Sequence, residues 1–186
     1  QEAEAGPVFN SPFLHVLAGT RLTHQGGTRS IDRILEPKMS FTLGRNDRNQ
    51  PQFGIDTAWL EPNYPSLFNP YASVGADWGV AGHTLALGID HRWVKRSSGH
   101  QLGRISVGQS YQATADQPVR GDRRGHQTDF QAELTKGGAI RGRIDLSYQH
   151  QFKTVTSGFL SLSYRASGST LISLQHRYRA ATPLFG

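Results

Sequence analysis

The chain has 186 residues, about the size of one domain, and only 36% of them are hydrophobic. It contains no apolar run of about 18 residues, which excludes a transmembrane helix, and its cysteine count of 0 excludes disulfides and thiolate metal sites. The net charge of +6 is spread over the chain without a motif that presents a surface to bases, so we do not expect a nucleic-acid partner.

Most of the chain alternates between apolar and polar residues with a period of two, the pattern of a β-strand with two different faces. Residues 1–11 lack this pattern and are expected to form a loop or a frayed end. A first strand is predicted over 12–24. The next strand alternates most regularly from Leu35 to Leu43. We expect Pro37 near the start of that strand, where a missing N–H is tolerated.

Residues 60–81 interrupt the alternation and follow a short predicted strand over 53–59. This stretch is rich in prolines and aromatic residues, which are Pro62, Tyr64, Pro65, Phe68, Pro70, Tyr71 and Trp78. We expect a long loop here, and membrane barrels keep their long loops on the extracellular side.

A pair of long strands joined by a polar turn is predicted over 82–112. One face of the first strand carries Leu85, Leu87, Ile89, His91 and Trp93, and the other carries Thr84, Ala86, Gly88, Asp90 and Arg92. The second strand alternates in the same way and ends at Tyr111. Each run is about ten residues long, the length with which a tilted strand crosses a bilayer, whereas strands of soluble sheets usually have about five or six residues.

Residues 114–127 form a second predicted loop, and a meander of four strands follows it. These strands are centred on residues 129–135, 140–152, 159–165 and 172–179, and a turn is expected at Lys136–Gly138. Several strands end in a tyrosine on the apolar face, which is typical of the aromatic girdle of a membrane barrel. The tyrosines concerned are Tyr111, Tyr148, Tyr164 and Tyr178.

The patterns together predict an all-β chain, an antiparallel meander of about eight or nine long strands that forms part of a transmembrane β-barrel. The predicted domain organisation is an N-terminal loop over 1–11, barrel strands over 12–180 with long loops at 60–81 and 114–127, and a tail over 181–186. Two alternatives are a small autonomous eight-stranded outer-membrane barrel with a structural or adhesive role, and a soluble β-sandwich, which also alternates. Strand length and the tyrosines favour a barrel.

Several stretches resemble the barrel of the lipopolysaccharide-assembly outer-membrane protein family, LptD/OstA. The stretches that carry the resemblance are Leu35-Glu36-Pro37, Asn63-Tyr64-Pro65-Ser66-Leu67-Phe68, His83-Thr84-Leu85-Ala86-Leu87-Gly88 and Arg104-Ile105-Ser106-Val107-Gly108-Gln109-Ser110-Tyr111. Tyr148 and Arg177-Tyr178-Arg179 stand where later strands of the family end in similar residues. The likeness covers residues 33–180, and its specific part is 35–111.

The resemblance implies a middle-to-C-terminal segment of a barrel in the bacterial outer membrane. It implies a wall of the translocon that receives lipopolysaccharide from a periplasmic bridge and inserts it into the outer leaflet, without catalysis. The implied partners are lipopolysaccharide, membrane lipids and a lipoprotein that plugs the barrel. No gating residue of the family can be carried over to this chain.

The basic residues of the polar face are the candidate contacts for lipopolysaccharide or for the plug. They are Lys38, Arg104, Arg141, Arg143 and Arg177, and Arg120, Arg123 and Arg124 are candidate anion contacts in the loop. Cross-strand ion pairs that keep a wet barrel interior rigid explain such residues more simply. A hydrophilic path for a phosphorylated sugar is the alternative explanation.

No catalytic residue, metal site or cofactor is expected. Asp90 and His91 are adjacent in a strand, so their side chains point to opposite faces and cannot act as a pair. The chain has no Gly-x-Ser-x-Gly motif, and the spacing of its histidines does not indicate a zinc site.

Overall fold

A computed structural model describes residues 13–25, 30–44, 58–59, 63–69, 73–74, 83–112 and 126–180. The strands are β1 Phe13–Gly19, β2 Leu22–Gln25, β3 Ile31–Gly44, β4 Ala58–Trp59, β5 Ser73–Val74, β6 His83–Lys95, β7 Gln101–Gln112, β8 Gln127–Lys136, β9 Ile140–Gln149, β10 Thr154–Arg165 and β11 Leu171–Arg179. One 3₁₀ turn, Pro65–Phe68, lies between β4 and β5. None of the described residues belongs to a helix long and apolar enough to span a membrane.

Nine strands form one antiparallel sheet in the order β1-β3-β6-β7-β8-β9-β10-β11, and β2 pairs with β3 beside β1. β1 and β2 both pair with β3, and the chain passes over β4 and β5 between β3 and β6. From β6 to β11, strands that follow one another in the chain pair with each other, as in a meander. The prediction of an all-β meander with about eight or nine long strands is confirmed. β3, β6, β7 and β10 have 12 to 14 residues each, enough to cross a bilayer at a tilt.

The predicted first strand is interrupted opposite Pro37. β1 and β2 keep the same register against β3, because Leu14 pairs with Leu43 and Leu22 with Leu35. Between them, Thr20 donates its N–H to the carbonyl of Pro37 over 3.3 Å. The expectation that Pro37 lies near the start of its strand was wrong, because β3 begins six residues earlier at Ile31. The missing N–H of proline is tolerated here because the partner strand breaks at the same place.

Burial across the sheet is the reverse of that in a soluble protein. Among the described residues, Tyr64 and Ala86 are the buried hydrophobic ones, whereas Asp90, Ser106, Asp129, Gln131 and Ser147 are at most 2% exposed. Leu87, Ile89 and Ile144 on the opposite face are 40–47% exposed. A β-sandwich buries its apolar faces against each other, and no second sheet covers this apolar face in the described part of the chain, so the sandwich alternative is wrong.

The two ends of the sheet differ in the connections they carry. The segments 45–82 and 113–126 both leave from the end at which β3 and β7 finish. At the opposite end β8 passes to β9 through Gly137 and Gly138, with φ of 60° and 71°. Positive φ at both central residues is the type I′ turn that matches the twist of a hairpin. The predicted turn at Lys136–Gly138 is therefore confirmed.

Aromatic residues border the apolar face at both ends. Tyr111, Tyr148 and Tyr178 stand at the end with the long connections, where the rings of Tyr111 and His126 are 5.8 Å apart. Tyr164 lies at the opposite end, where it is paired with Ile140 and Ile172. Rings at both borders of an apolar band are typical of a membrane barrel.

Several expectations lie outside the described residues. They are the loop over 1–11, the tail over 181–186, most of the predicted strand over 53–59, and nearly all of the loop over 114–127 with Arg120, Arg123 and Arg124.

Candidate functional site

The polar face is built from three neighbouring rows of side chains that run across the strands. From β3 to β11 they are Lys38, Gly88, Gly108, Asp129, Ser147, Ser157 and Arg179; then Glu36, Asp90, Ser106, Gln131, Asp145, Phe159 and Arg177; then Ile34, Arg92, Arg104, Glu133, Arg143, Ser161 and Gln175. The rows bring together residues far apart in the chain, and they define the candidate site.

Like charges stand directly opposite each other at the start of two rows. Glu36 is in register with Asp90, and Arg92 is in register with Arg104. Such pairs repel, but each acid also has an arginine one row away. The nitrogens of Arg92 and Arg104 approach carboxylate oxygens of Glu36 and Asp90 to 2.6 and 2.7 Å. In this group of four, like charges are in register and opposite charges are diagonal neighbours, and the diagonal attractions offset the repulsions.

Asp90 is the most strongly held carboxylate of this face. Arg104 donates to its two oxygens from Nε and Nη2, over 2.9 and 2.7 Å, and Ser106 donates its hydroxyl over 3.1 Å. Asp90 is 1% exposed. A forked guanidinium facing a carboxylate with two hydrogen bonds has fixed geometry, so Arg104 stiffens the wall between β6 and β7.

The remaining carboxylates are held in a similar manner. Asp129 accepts a hydrogen bond from the hydroxyl of Ser147 and another from the amide of Gln127, the latter over 2.6 Å. Asp145 accepts one from Nε of Arg143 over 2.6 Å. Arg21, which precedes β2, donates to Glu36 over 2.5 Å. Asp129 is thus held by uncharged groups, and Asp145 by an arginine of its own strand.

The 3₁₀ turn from the long connection rests on the polar face. Asn63 and Ser66 close it reciprocally, because Ser66 donates its N–H to Oδ1 of Asn63 over 2.9 Å and Asn63 donates its N–H to Oγ of Ser66 over 3.0 Å. Pro65 supplies a first turn residue with a preset φ and no N–H to satisfy. The rings of Tyr64 and Phe68 meet edge to face at 5.3 Å.

Two glycines form the seat for this turn, and they are in register with each other on β6 and β7. A Cβ atom at Gly88 would lie 2.6 Å from Cζ of Phe68 and 2.9 Å from Cε2 of Tyr64, and one at Gly108 would lie 2.7 Å from Cδ1 of Leu67. The turn can approach this closely only because neither position has a side chain. We call residues 63–69 the seated turn.

Tyr64 is the central contact of the seated turn. It is 2% exposed, and its hydroxyl is buried without a hydrogen-bond partner among the described residues. Burial, reinforced by the negative charge of Asp90, raises the pKa of Tyr64 to about 12. The phenol therefore stays neutral over the physiological range.

The candidate contacts predicted from sequence fall into two groups. Arg104 and Arg143 are held by Asp90 and Asp145, and Lys38 stands in the row of the glycine seat. Arg141 on β9 and Arg177 on β11 are exposed. Arg177 places its guanidinium carbon 5.7 Å from the centre of the Phe159 ring.

Sequence reasoning missed the seated turn, although the signal was present. The irregular stretch was interpreted as a loop, and the glycines as small residues of a strand. Their positions on the polar face, together with an aromatic Pro-containing segment, were the only available hint. Phe159, in register with Asp145 and Arg177 on the polar face, was not among the predicted contacts.

Comparison with known proteins gives the family. The family model described as LptD, LPS transport system D, matches residues 10–185. The LPS-assembly protein LptD of Haemophilus ducreyi is 24% identical over 160 residues, which are 78% of this chain and 20% of that protein. The protein of the same name from Thiobacillus denitrificans is 27% identical over 155 residues, 80% of this chain and 21% of that protein.

The chain spans about a fifth of the length of these relatives. The matched range includes every strand of the nine-stranded sheet and the seated turn. The open antiparallel sheet, with its exposed apolar face and polar face, has the architecture of part of a β-barrel. The chain belongs to the LptD family of lipopolysaccharide transport proteins.

Proposed function

We propose that this chain forms part of the wall of an outer-membrane barrel that delivers lipopolysaccharide to the outer leaflet, without chemical change to it. The observation that carries the proposal is the reversed burial of the sheet. The apolar face suits lipid, whereas the polar face offers charged and amide side chains to a wet interior. Family membership supplies the cargo.

The distribution of connections supports one orientation in the membrane. Outer-membrane barrels have short periplasmic turns and longer extracellular loops. The end that carries segments 45–82 and 113–126 accordingly faces the cell exterior. The seated turn then descends from the outside into the interior.

The exposed cations are the proposed contacts for the phosphorylated sugar part of the cargo. Arg141 and Arg177 are exposed on the polar face, and Lys38 on β3 and Arg143 on β9 lie on the same face. Arg104 supports the wall through Asp90. Arg120, Arg123 and Arg124 in the outer loop are proposed to meet lipopolysaccharide phosphates at the surface. A lipoprotein that plugs the barrel is the proposed partner.

Depletion of the protein in its source cell tests the proposal. Newly made lipopolysaccharide is labelled during a pulse, and the fraction that reaches the cell surface is measured with an impermeant reagent. We expect this fraction to fall as the protein disappears, while the level of an unrelated outer-membrane barrel stays constant during the same interval. Unchanged delivery after depletion would contradict the proposed function.

A further inference from the structure

Positive charge is concentrated in the last three strands of the sheet. Residues 137–180 contain six basic residues, Arg141, Arg143, Lys153, Arg165, Arg177 and Arg179, and one acidic residue, Asp145. On the polar face, the strands before them carry the acids Asp32, Glu36, Asp90, Asp129 and Glu133 and the cations Lys38, Arg92 and Arg104. The polar face therefore has a net acidic part over β3–β8, where Glu36 and Asp90 are paired with Arg92 and Arg104, and a cationic part over β9–β11.

A cavity of about 240 Å³ lies in the cationic part, beside the seated turn. Its walls include Asn63 from the turn, Arg143 and Asp145 from β9, Phe159 from β10 and Arg177 from β11. Asp145, Phe159 and Arg177 are consecutive members of one row. The cavity is open to the interior and large enough for part of a sugar residue.

We propose that this cavity binds a phosphorylated saccharide, a refinement that rests on the proposed function. Arg177 supplies a guanidinium for the phosphate, the group that arginine recognises best. The neighbouring ring of Phe159 supplies an apolar surface for the C–H face of a sugar. Asn63 and Ser157 supply hydrogen-bonding groups for hydroxyls.

Asp145 favours a sugar phosphate over a bare phosphate ion. Its carboxylate accepts two hydrogen bonds from Arg143, from Nε over 2.6 Å and from Nη2 over 3.3 Å, and each oxygen keeps a lone pair for a sugar hydroxyl donor. The same negative charge repels an inorganic phosphate ion, whose whole charge lies next to Asp145, whereas a sugar phosphate can place neutral hydroxyls beside Asp145 and its phosphate beside Arg177. The ligand class that fits Asp145, Phe159 and Arg177 together is a phosphorylated saccharide.

One end of the seated turn, Asn63, forms part of the cavity wall, whereas the rest of the turn lies against the glycine seat. Asn63 lines the cavity, whereas Tyr64 and Phe68 contact the Gly88 position on β6. The turn thus connects the paired part of the polar face to its cationic part. Asn63 is the only cavity residue named here that does not come from β9–β11.

Photo-crosslinking with the protein purified from outer membranes in detergent tests the proposal. Phe159 is replaced by p-benzoylphenylalanine, which keeps an aromatic ring in the cavity, and Phe130 on the apolar face receives the same change as the control. We expect irradiation to link position 159 to purified lipopolysaccharide. A bisphosphorylated glucosamine disaccharide should abolish this link, and it should not affect any link formed at position 130.

Competitors of different chemistry identify the ligand class. The bisphosphorylated disaccharide is expected to compete at concentrations at least about tenfold below those of the unphosphorylated disaccharide, glycerol 3-phosphate or inorganic phosphate. Adding Arg177→Gln should raise the required concentration by about tenfold, because one charge-assisted contact is lost. Arg165→Gln, a control on the same strand pair outside the cavity, should leave it unchanged.

Specific results would overturn the proposal. Equal competition by inorganic phosphate or glycerol 3-phosphate would show a general anion site. Equal effects of Arg177→Gln and Arg165→Gln would show a diffuse charge effect. If the variant at position 159 does not fold, the same ring at Ser157 tests the same cavity. Absence of links at a folded variant, while depletion still blocks surface delivery, would refute this site and leave the proposed function intact.

Discussion

Glu36 and Asp90, two buried carboxylates of the polar face, are stabilised by arginines on neighbouring strands, one row away. An ionised carboxylate is costly to bury unless it is paired and hydrogen-bonded. Asp90 meets this requirement through two bonds from Arg104 and one from Ser106. The arginines in turn avoid a repulsive Arg92–Arg104 contact because each faces an acid diagonally. Such ion pairs neutralise the buried charge, and they also favour the observed register of β3, β6 and β7.

Replacement of Arg104 by methionine should destabilise the protein strongly. The variant leaves Asp90 buried beside Glu36 without its countercharge, and breaking a buried ion pair from one side costs about 3–5 kcal/mol. The side chain of Arg104 is 22% exposed, so we expect a loss near the lower end, about 3 kcal/mol. Urea unfolding of the protein in phospholipid vesicles measures the free energy directly.

Two further variants separate the ion pair from other effects. Arg165→Met removes an exposed arginine and should change the free energy of unfolding by less than about 0.5 kcal/mol. The double variant Arg104→Met with Asp90→Asn removes both charges and should recover part of the loss. A double variant as unstable as the sum of its single changes would show that the two groups are not coupled.

The seated turn is the element that distinguishes this wall from a plain barrel sheet. It is closed by Asn63 and Ser66, carries two rings on its inner side and fits over a pair of glycines. Its contact with the sheet depends on absent side chains, so the smallest possible addition should displace it. The rest of the sheet does not need those glycines, because strands generally tolerate alanine.

Gly88→Ala should lift the turn off the wall and change the titration of Tyr64. The pKa of the buried phenol is raised to about 12, and exposure should return it towards its ordinary value near 10. Because the neutral form is favoured in the folded state, the stabilisation is complete below about pH 10 and is lost between about pH 10 and 12. Absorbance of tyrosinate at 295 nm, taken as the difference from Tyr64→Phe, reports this step.

Gly142→Ala is the matched control for this experiment. The nearest atom to a Cβ at that position is 4.0 Å away on Leu162, and the site is on the apolar face. This variant should keep the late titration of Tyr64. A late titration in Gly88→Ala as well would mean that the glycine seat does not hold the turn.

The strands were predictable because their alternating pattern is local. The glycine seat was not predictable, because it depends on contacts between distant segments. Alternation assigns Leu87 and Asp90 to opposite faces whatever the neighbouring strand is. The turn at Gly137 and Gly138 follows from a local conformational requirement. By contrast, the approach of Tyr64 to Gly88 and Gly108 depends on register between β6 and β7 and on the path of a long connection. Neither is encoded within a short window of sequence.

At the scale of the whole molecule, the pairing of the charged residues also could not be predicted from short windows of sequence. Composition and alternation predicted which basic residues share one face of the strands. They did not predict which acid each arginine meets, because the pairing of Arg104 with Asp90 rather than Glu133 is set by sheet geometry. The concentration of positive charge over β9–β11 was visible in the sequence, but its meaning depended on finding a cavity there.

The two faces of the sheet suit two different environments, lipid at the apolar face and water at the polar face. The two faces should therefore respond oppositely to the same added charge. Ile144 is 40% exposed in the middle of β9 and lies on the apolar face, in register with Leu160. Gln175 lies at a similar level on the polar face, in the row that contains Ser161.

Ile144→Arg should destabilise the protein in phospholipid vesicles by about 2–4 kcal/mol, the cost of an arginine near the midplane on the lipid face of a barrel. Gln175→Arg introduces the same side chain into the wet interior and should cost less than about 1 kcal/mol. Urea titration in vesicles gives both values. In a wall that faced water on both sides an exposed arginine would cost little at either position, so similar small losses would contradict the membrane assignment of the apolar face.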